Sequence, residues 1–308
     1  MAPQARLLDR CSLAVGQGLD EKKVSVTLSG VFLSVLSGTK MNGSAARQSI
    51  AHEPDSPDRA ALRRCEIYRK SFPMTEIALP AHALRNLTVA KWVRDQHLAI
   101  DVRTGEELAA AIGAGIHPAR MTVYADSITD SELRAISNLA PGRVVVGSMS
   151  QIVLLGSIVE HRTQAVVVCV TDVNALVLSV AGAKTRGFGF DSHELDHAVG
   201  AVLGDRRLNL VGLHCDVGSD DHDFVSYPAA IGHMITEMTQ IRRHHGVVLT
   251  RLGLGGGRAV PSGDWTTELP ELASQIDESL DDACATLRYP RPLVVLSPGL
   301  AIVERDAA

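Results

Sequence analysis

The sequence predicts an α/β fold, a (β/α)8 barrel of the TIM type, and three observations lead to this prediction. From about residue 60 onward, short apolar or β-branched runs alternate with longer stretches of helical spacing, which is typical of βα units around a parallel sheet. There are eight such runs, the number of strands that closes a barrel of this kind. The 308 residues are enough for one large α/β barrel or for two modest domains.

The strands are predicted from their apolar and β-branched composition, and they follow one another at the spacing of βα units. They are residues 76–79, 98–102, 121–124, 144–146, 165–170, 208–213, 247–252 and 293–296.

The intervening helices are predicted from their capping residues and from their apolar faces. Thr104 can cap the helix that follows the second strand, and Asp191 with Glu194 has the spacing of a capping box. In the segment 224–245, apolar residues recur on one helical face, which an outer helix of a barrel must bury. These residues are Ile231, Ile235, Met238 and Ile241.

Composition and charge exclude several classes of protein. The formal net charge is −5 and no dense Lys/Arg run occurs, so no nucleic-acid partner is predicted. Five scattered cysteines, an odd number without a C-x-x-C pair, argue against a disulfide framework and for the cytoplasm. The apolar stretch 24–36 is interrupted by serines and is too short to span a bilayer.

The chain is predicted to divide into residues 1–58, an N-terminal appendage with a linker, and residues 59–308, the barrel. The Pro/Ser/Asp-rich segment 53–58 is the predicted linker. In a barrel of this type the chemistry sits at the carboxyl ends of the strands. That rule selects His82, Asp126 and three runs, which are residues 214–219, 255–257 and 297–299.

Three consecutive glycines, Gly255, Gly256 and Gly257, follow the seventh predicted strand. Glycines let successive backbone N–H groups turn toward an anion, which forms a phosphate-binding nest. A flexible turn is the alternative, and the residues alone leave both open.

His214 and Asp216 alternate onto one side of the sixth strand, ahead of an acidic loop at residues 220–223. This arrangement permits a metal-binding interpretation. An ordinary strand followed by a solvated acidic loop is the favoured interpretation, so no metal site is predicted.

The segment Glu76-Ile77-Ala78-Leu79-Pro80-Ala81-His82-Ala83-Leu84, read on to Trp92 and the Asp101-Val102-Arg103-Thr104-Gly105-Glu106 turn, resembles the first barrel strand of diaminopimelate decarboxylases. These are fold type III enzymes of the alanine-racemase class that use pyridoxal phosphate (PLP). In that family a Tyr-Ala-x-Lys motif ends the strand, and its lysine holds the cofactor as a Schiff base. An ungapped alignment places Leu79 at the tyrosine position and His82 at the lysine position.

Two further motifs carry the resemblance with equally specific departures. The run Gly212-Leu213-His214-Cys215-Asp216-Val217-Gly218-Ser219 is similar to the family's Gly-Leu-His-x-His-x-Gly-Ser, with Asp216 in place of the histidine that stacks on the cofactor ring. The run Ser297-Pro298-Gly299-Leu300 is similar to Glu-Pro-Gly-Arg, with Ser297 replacing the glutamate that contacts the pyridine nitrogen. The resemblance implies cofactor-binding roles for Ser219, Gly255, Gly256, Gly257 and Gly299, and catalytic positions at His82, Asp216 and Ser297.

The resemblance implies PLP as the cofactor and α-decarboxylation of an amino acid, with diaminopimelate the nearest substrate class. Because imidazole is not a primary amine, His82 predicts impaired or lost catalysis. Lys184, on the loop after the fifth strand, is the one lysine placed to substitute.

The alternative is a catalytically inactive barrel that acts as a regulatory or interaction partner and binds a phosphorylated ligand. A small PLP carrier is a third hypothesis. A homodimer or association with an intact homologue is the expected assembly. The family's C-terminal β-domain is expected to have no counterpart after Ala308.

Overall fold

A computed structural model describes residues 57–171, 188–217, 226–255, 265–299 and Ile302. Eight parallel strands form a closed barrel in which each strand pairs with its neighbours in chain order and the first pairs with the last. The predicted (β/α)8 barrel is therefore confirmed. Of the predicted appendage and linker, only Pro57 and Asp58 lie within the described residues, and they begin the first helix.

The strands of the barrel are β1 (Glu76–Pro80), β2 (Ala99–Val102), β3 (Met121–Tyr124), β4 (Arg143–Val146), β5 (Gln164–Cys169), β6 (Leu208–Asp216), β7 (Arg251–Gly255) and β8 (Leu293–Ser297).

The helices within the described residues are α1 (Pro57–Ser71), α2 (Leu87–Asp95), α3 (Gly105–Gly113), α4 (Asp130–Asn138), α5 (Met149–Ile158), α6 (Ser192–Gly204), α7 (Tyr227–His245) and α8 (Trp265–Leu287). Short 3-10 turns occupy Ala81–Arg85 and Pro118–Arg120.

The predicted capping residues begin their helices. The Thr104 side chain accepts a hydrogen bond from the backbone N–H of Glu107, and Asp191 accepts from the N–H groups of His193 and Glu194. The predicted apolar face of α7 is buried. That helix ends at Gly246, whose φ of 71° is the left-handed conformation that favours glycine at a helix terminus.

Six strands lie within one residue of their predicted bounds, β6 runs three residues beyond its predicted end at residue 213, and β7 is displaced. The predicted strand 247–252 begins four residues too early, because β7 starts at Arg251 and runs to Gly255. Residues 246–250 are irregular. The apolar run at Val247–Leu249 suggested a strand, whereas the glycines of β7 left no apolar alternation to recognise.

The core lies mainly between the strands and the helices. Alternate strand residues such as Ile100, Val144 and Leu252 join one large buried cluster with the apolar helix faces. A second, small cluster contains Tyr124, Val145, Val167 and Cys169. Since these four belong to consecutive strands and alternate with residues of the large cluster, they line the barrel interior.

No helix within the described ranges is long and apolar enough to cross a membrane.

Candidate functional site

Two buried side chains join β2 and β8 inside the barrel, near the carboxyl ends of the strands. The Ser297 hydroxyl donates a hydrogen bond to Asp101 Oδ2 at 2.5 Å, and the Tyr124 hydroxyl lies 3.4 Å from the same oxygen. Asp101 is 7% exposed and Ser297 is 8% exposed. A carboxyl group is thus enclosed in the barrel with neutral hydroxyl groups as its hydrogen-bond donors.

An arginine forms the next layer toward solvent. Arg103 follows β2 directly, and its Nη1 donates to Asp126 Oδ2 at 2.6 Å while its Nη2 lies 3.9 Å from Asp216 Oδ1. The guanidinium carbon is 4.1 Å from the centroid of the Tyr124 ring, a cation–π contact. These contacts hold Arg103 across the opening of the barrel.

His214 and Asp216 enter the same space from β6. The His214 ring meets the Tyr124 ring edge-on, with 5.1 Å between the centroids. His214 Nε2 lies 3.4 Å from Asp216 Oδ1, but this nitrogen is buried and has no hydrogen-bond partner among the described residues. The Asp216 side chain is 48% exposed, so the site opens to solvent on its side.

Two glycines of β7 make room for these side chains. A Cβ on Gly253 would stand 2.5 Å from His214 Nδ1, and a Cβ on Gly255 would stand 2.1 Å from Asp216 Oδ1. Any larger residue at either position would force the β6 side chains to move. Gly255 is therefore explained here by its neighbour across the sheet, whether or not it also binds an anion.

Burial controls the charge of Asp101. It raises the pKa of this carboxyl group from 3.8 to about 6, although the Ser297 hydrogen bond and the charges of Arg103, His214 and Arg143 oppose the change. The second oxygen, Oδ1, is buried without a hydrogen-bond partner in the described part of the chain. An ionised but half-satisfied carboxylate therefore lies inside the barrel at neutral pH.

The pKa of Asp216 is shifted in the opposite direction to that of Asp101. Burial alone would raise its pKa, but the adjacent His214 and Arg103 outweigh this effect and lower the pKa to about 2. Asp216 is therefore anionic over the whole physiological range.

Asp216 and Ser297, the second and third predicted catalytic positions, lie close together. Asp216 pairs with Gly255 across β6 and β7, and Gly255 pairs with Ser297 across β7 and β8. Gly299 follows two residues after Ser297 with a φ of 70°. The three predicted positions Ser219, Gly256 and Gly257, together with Lys184, lie outside the described residues.

His82, the first predicted catalytic residue, lies beyond the strand. Strand β1 ends at Pro80, and His82 is the second residue of the 3-10 turn Ala81–Arg85, partly buried. Strand alternation therefore does not fix the direction of the His82 side chain. A catalytic role for His82 stays a prediction.

Several members of this site were missed from the sequence. Asp101 and Arg103 were recognised only as part of the turn that carries the family resemblance, and Tyr124 was given no role in the site. The available signal was polar alternation: Asp101 lies in a strand whose other residues are apolar, and Arg103 follows two residues later, just after the strand. Asp126, which was selected from its position after β3, pairs with Arg103 at this mouth.

No cluster of three or more His, Cys, Asp or Glu side chains suited to a metal ion occurs within the described residues. A separate charged cluster lies at the opposite end of the barrel, where the strands begin. There Glu76 pairs with Arg143 and, at 2.6 Å, with Arg251. These three residues border a cavity of about 520 Å³.

Fold and site define a parallel (β/α)8 barrel with a charged mouth at the carboxyl ends of its strands, the usual position of an active site in such barrels. Residues 59–304 match the family model described as the pyridoxal binding domain of pyridoxal-dependent decarboxylases. The chain belongs to this family.

Two similar relatives are diaminopimelate decarboxylases. That of Actinosynnema pretiosum subsp. auranticum is 33% identical over 249 residues, which cover 79% of this chain and 56% of the relative. That of Mycobacterium tuberculosis (strain H37Rv) is 30% identical over 233 residues, covering 70% of this chain and 51% of the relative. The chain thus spans about half the length of these relatives.

Solved structures support the fold. A diaminopimelate decarboxylase from M. jannaschii, crystallised with L-lysine, has a TM-score of 0.67 at 19% identity and matches 80% of this chain and 60% of that one. The arginine decarboxylase of Paramecium bursaria Chlorella virus, bound to agmatine, has a TM-score of 0.64 at 16% identity and matches 80% and 63% of the two chains.

The described residues at the mouth do not fit the family cofactor. PLP requires a lysine amine for its Schiff base, and the lysines within the described residues are Lys70 and Lys91, both exposed on α1 and α2. Asp216, an anion, stands at the position where the family stacks a histidine on the cofactor ring. The group also brings a phosphate, which Asp216 would repel.

Proposed function

We propose that this barrel is a decarboxylase-like protein in which α-decarboxylation of diaminopimelate is impaired or lost. One observation carries the proposal: the described mouth of the barrel contains aspartate, arginine and histidine side chains but no lysine. A PLP enzyme of this class depends on a lysine for attaching its cofactor and exchanging it with the substrate.

The position of the missing glutamate supports the same proposal. Ser297 uses its hydroxyl to bind Asp101 Oδ2, and a neutral hydroxyl cannot keep a pyridine nitrogen protonated. The charge at Asp216 is the third departure. Because groups that act together are not additive when they are removed, the three losses are not summed. Losing one member of such a unit commonly lowers the rate by about 10³-fold or more.

The test is release of lysine or CO₂ from meso-diaminopimelate by the purified chain with PLP added. We expect the rate to be at least about 10³-fold below that of a full-length relative assayed alongside. A His82→Lys variant restores a primary amine at the family position, and His82→Arg is its matched control with a cation that cannot form the Schiff base.

Turnover by the unmodified chain near the rate of the relative would contradict the proposal and direct attention to Lys184. A Lys184→Ala variant then decides whether that residue attaches the cofactor. Turnover that survives this change as well would mean that the assay detects another activity.

The alternative function, a regulatory or interaction partner that binds a phosphorylated ligand, stays a prediction, as do the homodimer, the association with an intact homologue and the cytoplasmic location. Asp216 beside Gly255 argues against a phosphate at this strand end, because two negative charges would lie close together. Co-purification with a full-length homologue, measured by size-exclusion chromatography of the mixture, tests the partner hypothesis.

A further inference from the structure

We infer that the amino end of the barrel binds a small organic anion, whose carboxylate or phosphate group is held by Arg143 and Arg251. The site is the cavity of about 520 Å³ at the end of the barrel opposite the mouth. Pockets that hold small molecules in proteins commonly have volumes of about 300–1,000 Å³. The inference goes beyond the proposed function and does not rest on it, because neither PLP nor decarboxylation is involved.

Short side chains leave this space open. A (β/α)8 barrel ordinarily fills its interior with layers of bulky branched side chains. Here β2 begins with Ala99, β5 has Ala165 as its second residue, and Gly142 directly precedes β4, and all three line the cavity. The long side chains of Arg143 and Arg251, the first residues of β4 and β7, line it as well. The hollow is therefore polar, and solvent reaches it beside Arg251, whose side chain is 32% exposed.

Positive charge exceeds negative charge around the cavity. Its lining contains three arginines, Arg120, Arg143 and Arg251, and a single carboxylate, that of Glu76, so the formal excess is two positive charges. Arg120 is held in place by the Leu98 carbonyl oxygen, to which its Nε donates at 2.9 Å. This excess attracts an anion and repels a cation.

Arg143 and Arg251 keep hydrogen-bond donors after they pair with Glu76. One oxygen of Glu76 accepts from Arg143 Nη2, and the other accepts from Arg251 Nη1 at 2.6 Å. Arg143 Nε donates to Thr122 Oγ1 at 3.1 Å. Arg143 Nη1 and, on Arg251, Nε and Nη2 have no partner in the described part of the chain. Guanidinium groups with such donors bind the oxygens of carboxylates and phosphates in pairs.

The chain segments that lead into the strands at this end all belong to the described residues. The segments outside the description between β5 and α8, residues 172–187, 218–225 and 256–264, each follow the carboxyl end of a strand. Helix α1 also begins near the carboxyl ends, because Asp58 accepts a hydrogen bond at 3.1 Å from the side chain of Asn86, which lies beyond the end of β1. The cavity is thus bordered by strand starts and loops whose contacts are known.

The experiment is isothermal titration calorimetry of the full chain at neutral pH and low ionic strength, since salt weakens the attraction between charges. Succinate presents carboxylates, inorganic phosphate presents the other oxyanion, and succinamide has the carbon skeleton of succinate without its charge. We expect saturable binding of at least one oxyanion, at least about tenfold tighter than that of succinamide. The oxyanion that binds more tightly identifies the group that the site prefers.

Three variants locate the site. Arg251→Gln removes a guanidinium from the cavity and is expected to weaken oxyanion binding at least about tenfold. Arg134→Gln, at an exposed arginine of α4, removes the same charge elsewhere and is expected to change the affinity less than about threefold. Glu76→Gln removes the competing carboxylate and is expected to strengthen binding at least about threefold. A purely structural role of the arginines would not produce this gain.

Several results would overturn the inference. Absence of binding by both oxyanions would mean that the cavity holds only water, and equal binding of succinamide would mean that charge plays no part. Equal losses in the two arginine variants, or binding that Arg251→Gln leaves unchanged, would place the anion elsewhere on the protein. If Arg251→Gln does not fold, Glu76→Gln decides, and a variant that binds no more tightly contradicts the inference. None of these measurements involves decarboxylation, so failure here is distinguishable from failure of the proposed function.

Discussion

Compared with the unmodified protein, the Asp101→Asn variant is expected to gain free energy of unfolding at neutral pH and to gain none in acid. The substitution keeps the shape of the side chain and an oxygen that can accept from Ser297, while it removes the buried negative charge. The effect follows from the pKa of Asp101, about 6 in the folded protein against an ordinary value of 3.8.

The magnitude and the sign come from linkage. Each pKa unit corresponds to about 1.4 kcal/mol, so the interval between the two values is about 3 kcal/mol. Because the folded pKa is raised, this contribution to stability is fully present below pH 3.8 and is lost as the pH rises through about 6. The asparagine side chain of the variant cannot titrate. The variant therefore does not lose free energy of unfolding at this position as the pH rises, whereas the unmodified protein does.

The assay is urea unfolding of both proteins at several pH values from 4 to 8. We expect the difference in the free energy of unfolding to shift in favour of Asp101→Asn by about 2 kcal/mol between pH 4 and pH 8, because part of the full effect is already lost at pH 4. Other titrating groups are shared and cancel in the difference. Asp95→Asn, at an exposed carboxylate, controls for the loss of one negative charge. A difference that stays constant over this range would refute the reasoning.

Two further substitutions test the packing of the barrel interior. Glu76→Gln leaves two partly buried arginines without their carboxylate and should lower the free energy of unfolding at pH 7 by about 3 kcal/mol. Because those arginines lower the pKa of Glu76, the loss of stability should shrink as the pH falls through that pKa. A loss that stays the same at low pH would contradict this expectation. Gly253→Ala should destabilise by about 1–3 kcal/mol in the same urea assay, because its Cβ would meet the His214 ring. Gly232→Ala on α7, where a Cβ has open space, is the matched control and should be neutral or stabilising by up to about 1 kcal/mol; equal losses in the two alanine variants would show that the His214 contact is not the cause.

Much of the fold could be predicted from the sequence because buried parallel strands are continuous apolar runs. β3 and β5 are rich in apolar and β-branched residues and were recognised from composition alone. β7 was misplaced because its inward residues are Gly253 and Gly255, whose space is occupied by His214 and Asp216 of the neighbouring strand. A contact between strands leaves no trace in the composition of either one.

The candidate site was less predictable for the same reason. The resemblance located Asp216 and Ser297, but the residue that connects the site, Asp101, lies 196 positions from its partner Ser297 in the chain. Its burial, and with it the pKa change and the unfilled oxygen, exists only when the closed barrel brings β2 and β8 together on either side of β1. The ion pairs of Glu76 at the opposite end likewise join β1 with β4 and β7.

The central claim, that this barrel has no lysine that attaches PLP in its mouth, is tested most directly by borohydride reduction. The purified chain is incubated with PLP, reduced, digested and analysed by mass spectrometry for pyridoxyl-lysine. We predict no absorbance band of a bound aldimine before reduction and no lysine labelled beyond the background found on exposed Lys70 and Lys91. Stoichiometric labelling of a single lysine, Lys184 above all, would contradict the claim.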